Sequence, residues 1–194
     1  MEGIFSAFGL SASAGLNAYI PLLIVSLVAK FTDLINLDQP WDALTNWWII
    51  GLLVVLSEIE FFDDKIPAVN HVNDVIQTVV RPTAGAIVFA ASADAITEIH
   101  PVLSLAAGLL IAGGVHVAKA GALRPAVTAT TGGVGHPVVS ILEDIVSTVL
   151  SIIAVLLPVV LGVLIVMFAA WVIWYIWRRE NKRLARQAAR NQQR

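Results

Sequence analysis

The chain has 194 residues, 58% of them hydrophobic and only 13% charged. So apolar a surface excludes an ordinary soluble domain, and the length allows one compact bundle. Cysteine is absent, which excludes disulfides and thiolate metal sites, and the formal net charge of -2 conceals a basic end.

A membrane helix needs roughly 20 mainly apolar residues. The first candidate span covers 4–29, "IFSAFGLSASAGLNAYIPLLIVSLVA", with no basic region before it, so no cleaved signal peptide is expected. The second covers 46–62 after "WDALTNWW", the third 72–93 with Arg81-Pro82 inside it, and the fourth 101–118. A nearly unbroken apolar stretch then runs over 137–177, and fully helical it is about twice as long as a bilayer core is thick. Pro158 divides it into spans 137–156 and 158–177. The alternative makes 137–151 a re-entrant half-helix and leaves five spans. The expected fold is therefore all-α, a polytopic membrane bundle of six spans or five, over residues 1–177. The tail 178–194 carries seven Lys/Arg against one Glu, whereas 1–177 carries five against thirteen Asp/Glu. A basic tail belongs in the cytoplasm, and six spans place the N-terminus there too, in a cell inner membrane. Trp171, Trp174, Tyr175 and Trp177 then anchor one interface and Trp41, Trp47 and Trp48 the other.

Residues three and four apart share a helix face. Asp74, Gln77/Thr78, Arg81 and Gly85 form one polar stripe, and Ser140, Asp144, Ser147/Thr148 and Ser151 another. His116 stacks with Lys119, and Ser13 with Asn17, with Pro21 one turn further on. Small polar residues also suit close helix packing in membranes. A charge at the bilayer centre costs about 2.5–3.5 kcal/mol on insertion scales, so Asp74, Arg81, Lys119 and Asp144 mark a pathway or a partner. Asp74 and Arg81 are expected to be linked. Residues 67–80, "PAVNHVNDVIQTVV", and 137–150, "PVVSILEDIVSTVL", share five identities, the pattern of a weak internal repeat.

The segment "ALRPAVTATTGGVGHPVVSILED" has two prolines and a Thr/Gly run. It is expected to be irregular or re-entrant, since such backbone at membrane depth survives only inside protein or beside water. Gly132, Gly133 and Gly135 leave N–H groups able to face a ligand, and Pro137 suits the first turn of a helix with a positive end. Together with Arg81, Lys119, Arg124, Thr130, Thr131 and His136 they form an expected anion site. Asp74, His116, Glu58, Asp64, Glu143 and Asp144 are expected to balance charge or relay protons. The acid run around Glu58, Glu60, Asp63 and Asp64 reads equally well as an ordinary surface face. No zinc-hydrolase spacing, Walker loop or nucleophile elbow is present, so no enzyme and no cofactor is expected.

Three blocks, "SAGLNAYIPLL", "EFFDDKIPAVNHVNDVIQTVVRPTAGA" and "HVAKAGALRPAVTATTGGVGHPVVSILED", resemble a bacterial membrane family catalogued as domain of unknown function 4126. The resemblance implies a compact integral membrane protein and no particular activity. Three readings follow from the residues. The first is a small oligomeric inner-membrane transporter or channel for an anionic solute or lipid headgroup. The second is a cation or proton pathway led by carboxylates, and the third a scaffold subunit of a larger complex. The expected partners are the bilayer, a small ion and further copies of the chain, with no nucleic acid.

Overall fold

The computed structural model describes residues 2–63, 70–94 and 99–192, and among them every regular element is helical. Their order is α1 (Glu2–Leu16), α2 (Tyr19–Phe31), a short 3-10 turn (Trp41–Thr45), α3 (Trp47–Asp63), α4 (Asn70–Asp94) and α5 (Pro101–Ala118). A π-helical turn (Lys119–Leu123) leads into α6 (Arg124–Thr131), followed by α7 (His136–Leu156) and α8 (Pro158–Gln192). The chain forms two compact units, Met1–Pro158 and Val159–Arg194.

The first unit is built around α1, against which α2, α4, α5 and α7 all pack. Its sequence "EGIFSAFGLSASAGL" presents glycine, alanine or serine on most faces, so neighbouring backbones approach closely. Ala7, Leu10, Ser11, Ser13 and Ala14 are fully buried. A Cβ on Gly15 would lie 2.6 Å from the Ala112 carbonyl oxygen, and one on Gly108 would lie 2.6 Å from Phe89 Cβ. Glycine is thus required where α1 meets α5 and where α5 meets α4. Ser11 Oγ donates to the Gly108 carbonyl (2.8 Å), and the Phe8 and Phe89 rings meet edge to face at 5.3 Å. Near the α2–α3 corner, Lys30 Nζ donates to the Thr45 carbonyl (2.6 Å) and sits 4.5 Å from the Trp47 ring centroid.

Two expectations change here. The first span is not one helix, because it breaks after Leu16 and restarts at Tyr19. The segment 119–131 is not irregular, because a π turn carries α5 into α6 and only 132–135 forms a turn. Pro125 explains the second correction. It lacks the N–H that would reach Gly121, yet in the first turn of α6 that loss is tolerated. The helix widens instead, with the Arg124 N–H bonding Lys119 O five residues back. Pro158 separates α7 from α8 as expected, and Leu157 before it leaves the helical region (φ -136°, ψ 55°).

Among the described residues, three helical stretches are long and apolar enough to cross a membrane: Pro101–Thr131, His136–Leu156 and Pro158–Arg179. Gly3–Leu16 and Tyr19–Phe31 are apolar but shorter. In the second unit, α8 continues past residue 178 without interruption. Phe168, Trp171 and Tyr175 stack along it at 6.1 and 5.7 Å, and Arg178 and Arg179 lie over Trp174 and Tyr175. The aromatic side chains and the first tail cations therefore brace one another.

Candidate functional site

Pro21 causes the break in the first apolar segment. A continuous helix would send the N–H groups of residues 19, 20 and 21 to the carbonyls of Gly15, Leu16 and Asn17. Pro21 has no N–H, and its ring clashes with a helical carbonyl four residues back. The Tyr19 and Ile20 N–H groups turn to Asn17 Oδ1 instead, each at 3.1 Å. Asn17 thereby caps α2 with its own side chain. Its Nδ2 donates to Asp144 Oδ1 on α7 (3.0 Å).

The diverted donors leave carbonyls at the negative end of α1 available to other groups. Leu16 O accepts from Lys119 Nζ at 3.3 Å. The same ammonium lies 2.6 Å from Glu143 Oε2, with both side chains buried. Lys119 opens the π turn, a local widening of the kind often found at functional sites. Below this pair a serine ladder ties α1 to α7. Ser13 Oγ is 2.7 Å from both Ser147 Oγ and Ser151 Oγ, and all three serines are fully buried.

A second buried ion pair joins α3 to α4. Arg81 donates from Nη2 (2.9 Å) and Nε (3.3 Å) to Glu60 Oε1, and both side chains are 1% exposed. Tyr19, in the first turn of α2, is within electrostatic reach of Glu60 and Arg81. Thr78 Oγ1 and His116 Nε2 are 3.3 Å apart, linking α4 to α5. Among the described residues, Gln77 Oε1, Ser140 Oγ and Glu143 Oε1 are buried without a hydrogen-bond partner. Such atoms in a folded protein call for water or an ion.

The four polar stripes therefore meet, with the expected Ser13, Asn17, Gln77, Arg81, His116, Lys119, Ser140, Ser147 and Ser151 all buried. Glu143 is buried too, and Asp144 is half-buried beside it. Glu60 belongs to this interior rather than to a surface face, whereas Glu58 is exposed. Asp64 lies outside the described residues, as does the side chain of Asp74, so the expected Asp74–Arg81 link is beyond them as well.

The Thr/Gly segment is placed differently. Gly132 and Gly133 adopt φ of 62° and 91°, which favours glycine at both. The turn uses most of its own donors. Gly132 N reaches Thr128 O (2.9 Å), Gly135 N reaches Thr131 Oγ1 (3.0 Å) and His136 N reaches Gly133 O (3.2 Å). Thr130 Oγ1 returns to Ala126 O (2.9 Å), and Thr128 Oγ1 is 2.9 Å from His136 Nε2. Arg124 is half-buried at the start of α6. The expected anion cradle is thus an exposed, largely self-bonded turn, while Lys119 is committed to Glu143 and the end of α1.

Two signals pointed to this centre without being read as such. Pro21 four residues after Asn17 is the signature of a helix break with a side-chain cap. Glu60 lies one turn before the end of α3, where its partner is on another helix and leaves no trace in local spacing.

A family model described as a domain of unknown function, DUF4126, matches residues 4–178, and the chain belongs to that family. No curated protein and no solved structure matches it.

Proposed function

We propose that this DUF4126 member is a small multi-pass inner-membrane carrier or channel-like protein whose path runs along the break between α1 and α2. In this reading it moves cations or protons, has no enzymatic activity, works as an oligomer and keeps both termini in the cytoplasm. The observation that carries it is the Lys119 ammonium held between Glu143 Oε2 (2.6 Å) and the Leu16 carbonyl (3.3 Å). Interrupted helices in transporters place ion sites at their exposed ends, with carbonyl ends taking cations and N-H ends taking anions. The α2 N–H groups are capped by Asn17, which leaves the carbonyl end of α1 as the available one. Both buried cations, Arg81 and Lys119, face buried carboxylates, so their positive potential is offset where an anion would have to sit. The buried polar atoms without partners favour a hydrated interior over a dry scaffold.

The test is flux in vesicles containing the purified full chain, with the cation and the anion of the salt replaced in turn. Flux should follow the cation or proton gradient, persist in Arg124→Gln and fall at least tenfold in Asp144→Asn. Flux that follows the anion and disappears in Arg124→Gln restores the anion reading, and no flux of either sign favours the scaffold.

A further inference from the structure

We propose that the oxygens gathered around Lys119 constitute a monovalent-cation site whose resident occupant is the lysine's own ammonium. The inference deepens the cation reading above and rests on it for its physiological role, although the site itself is testable without any transport.

Three features of the geometry converge on it. The first is backbone chemistry. The donors that a continuous helix would deliver to Gly15 and Leu16 go to Asn17 Oδ1, and the donor due to Asn17 is missing because residue 21 is proline. Carbonyls at a helix C-terminus carry partial negative charge, and freed from N–H partners they suit a bare cation. The second is Glu143. Its carboxylate is buried, one oxygen lies 2.6 Å from Lys119 Nζ, and the other has no hydrogen-bond partner. A spare carboxylate oxygen at this position is a second ligand in waiting. The third is the occupant. An ammonium group resembles a potassium ion in charge and size, and Lys119 places one against a carbonyl and a carboxylate, the same oxygens such an ion would select.

The class of ion follows from the charge and the donor set. One carboxylate and neutral carbonyls suit a single positive charge. Among the described residues no three His, Asp or Glu side chains gather to hold a divalent metal. Asp144, which accepts from Asn17 Nδ2 at 3.0 Å, adds negative potential next to the site. A free ion and the ammonium would therefore compete for the same oxygens, and translocation would alternate their occupancy.

An ordinary structural ion pair predicts something different. Removing its lysine would leave a buried carboxylate that no particular salt relieves. The experiment compares the full chain in detergent with its Lys119→Met variant, reading thermal unfolding in NaCl or KCl against N-methyl-D-glucamine chloride at equal ionic strength. The native protein should show no preference among these salts. Lys119→Met should melt lower in the organic cation and regain stability saturably in sodium or potassium, and Lys119→Met/Glu143→Gln should lose that response. A variant recoverable as folded protein only in sodium or potassium would be the same result in stronger form. The proposal is overturned if Lys119→Met shows no cation-specific rise, if the rise persists in the double variant, or if the variant is unfolded in every salt. Cation-dependent stability without flux would retain the site and remove the transport reading, and flux without cation-dependent stability would do the reverse.

Discussion

Replacing Glu60 by leucine would leave the Arg81 guanidinium in an interior where it is 1% exposed. Glu60 Oε1 accepts two charge-assisted hydrogen bonds, at 2.9 and 3.3 Å, so the substitution removes both at once. Breaking one side of a buried pair costs about 3–5 kcal/mol, mostly from the charge left behind. Removing both charges in Glu60→Leu/Arg81→Met avoids that penalty, and the double variant should lie within about 1–2 kcal/mol of the native protein. The coupling in the double-mutant cycle is then about 4 kcal/mol or more, with the double variant more stable than either single one. The assay is reversible unfolding by sodium dodecyl sulfate in mixed micelles, followed by circular dichroism. Strictly additive losses would refute the reasoning, because they would mean that each residue is held by something other than its partner.

Asn17→Leu removes the cap on two α2 N–H groups and the link to Asp144, and should cost about 2 kcal/mol in the same unfolding assay. Gly15→Leu should cost about 3 kcal/mol or prevent folding, because the new Cβ meets the Ala112 carbonyl at 2.6 Å. Gly51→Leu, whose Cβ meets nothing, is the matched control and should leave the unfolding midpoint nearly unchanged. Single cysteines introduced as Glu2→Cys and Arg190→Cys, into a chain with no native cysteine, should both resist an impermeant external thiol reagent in intact cells. Labelling of only one of them would place the termini on opposite sides.

Helical periodicity made the polar interior legible. Polar residues recurring every three or four positions in apolar segments have one economical arrangement, facing one another, and Ser13 does meet Ser147 and Ser151. Pairings between helices were less accessible. Arg81 pairs with Glu60, 21 positions distant in sequence and on another helix, which local spacing does not reveal, whereas the expected Asp74–Arg81 link lies outside the described residues. Glu60 was hidden because Glu58 and Asp63 next to it are equally acidic, and composition does not distinguish the inward carboxylate from the outward one. The α1–α2 break was concealed for a related reason. A proline in an apolar run reads as a kink, whereas the structural change falls four residues earlier and depends on Asn17 being there to take the donors. The segment 119–131 was misjudged in the opposite direction. Pro125 and the Thr/Gly run read as breakers, yet a proline in a helix's first turn and a π turn before it preserve the helix. The number of membrane crossings is not a property of composition alone, since α1 and α2 are each shorter than a full span.

The central claim is that the ladder from Ser151 to Asn17 borders a path that water and cations enter. It is tested most directly by substituting Ser147→Cys and, as a control, Leu142→Cys on the exposed apolar face of α7. The reconstituted protein is then treated with a cationic methanethiosulfonate reagent, which reacts with the hydrated thiolate. The account predicts steady labelling at position 147, slowed by sodium or potassium, and none at position 142. A cysteine at 147 as inert as the one at 142 would contradict it, and would make the buried serines the packing surface of a dry bundle.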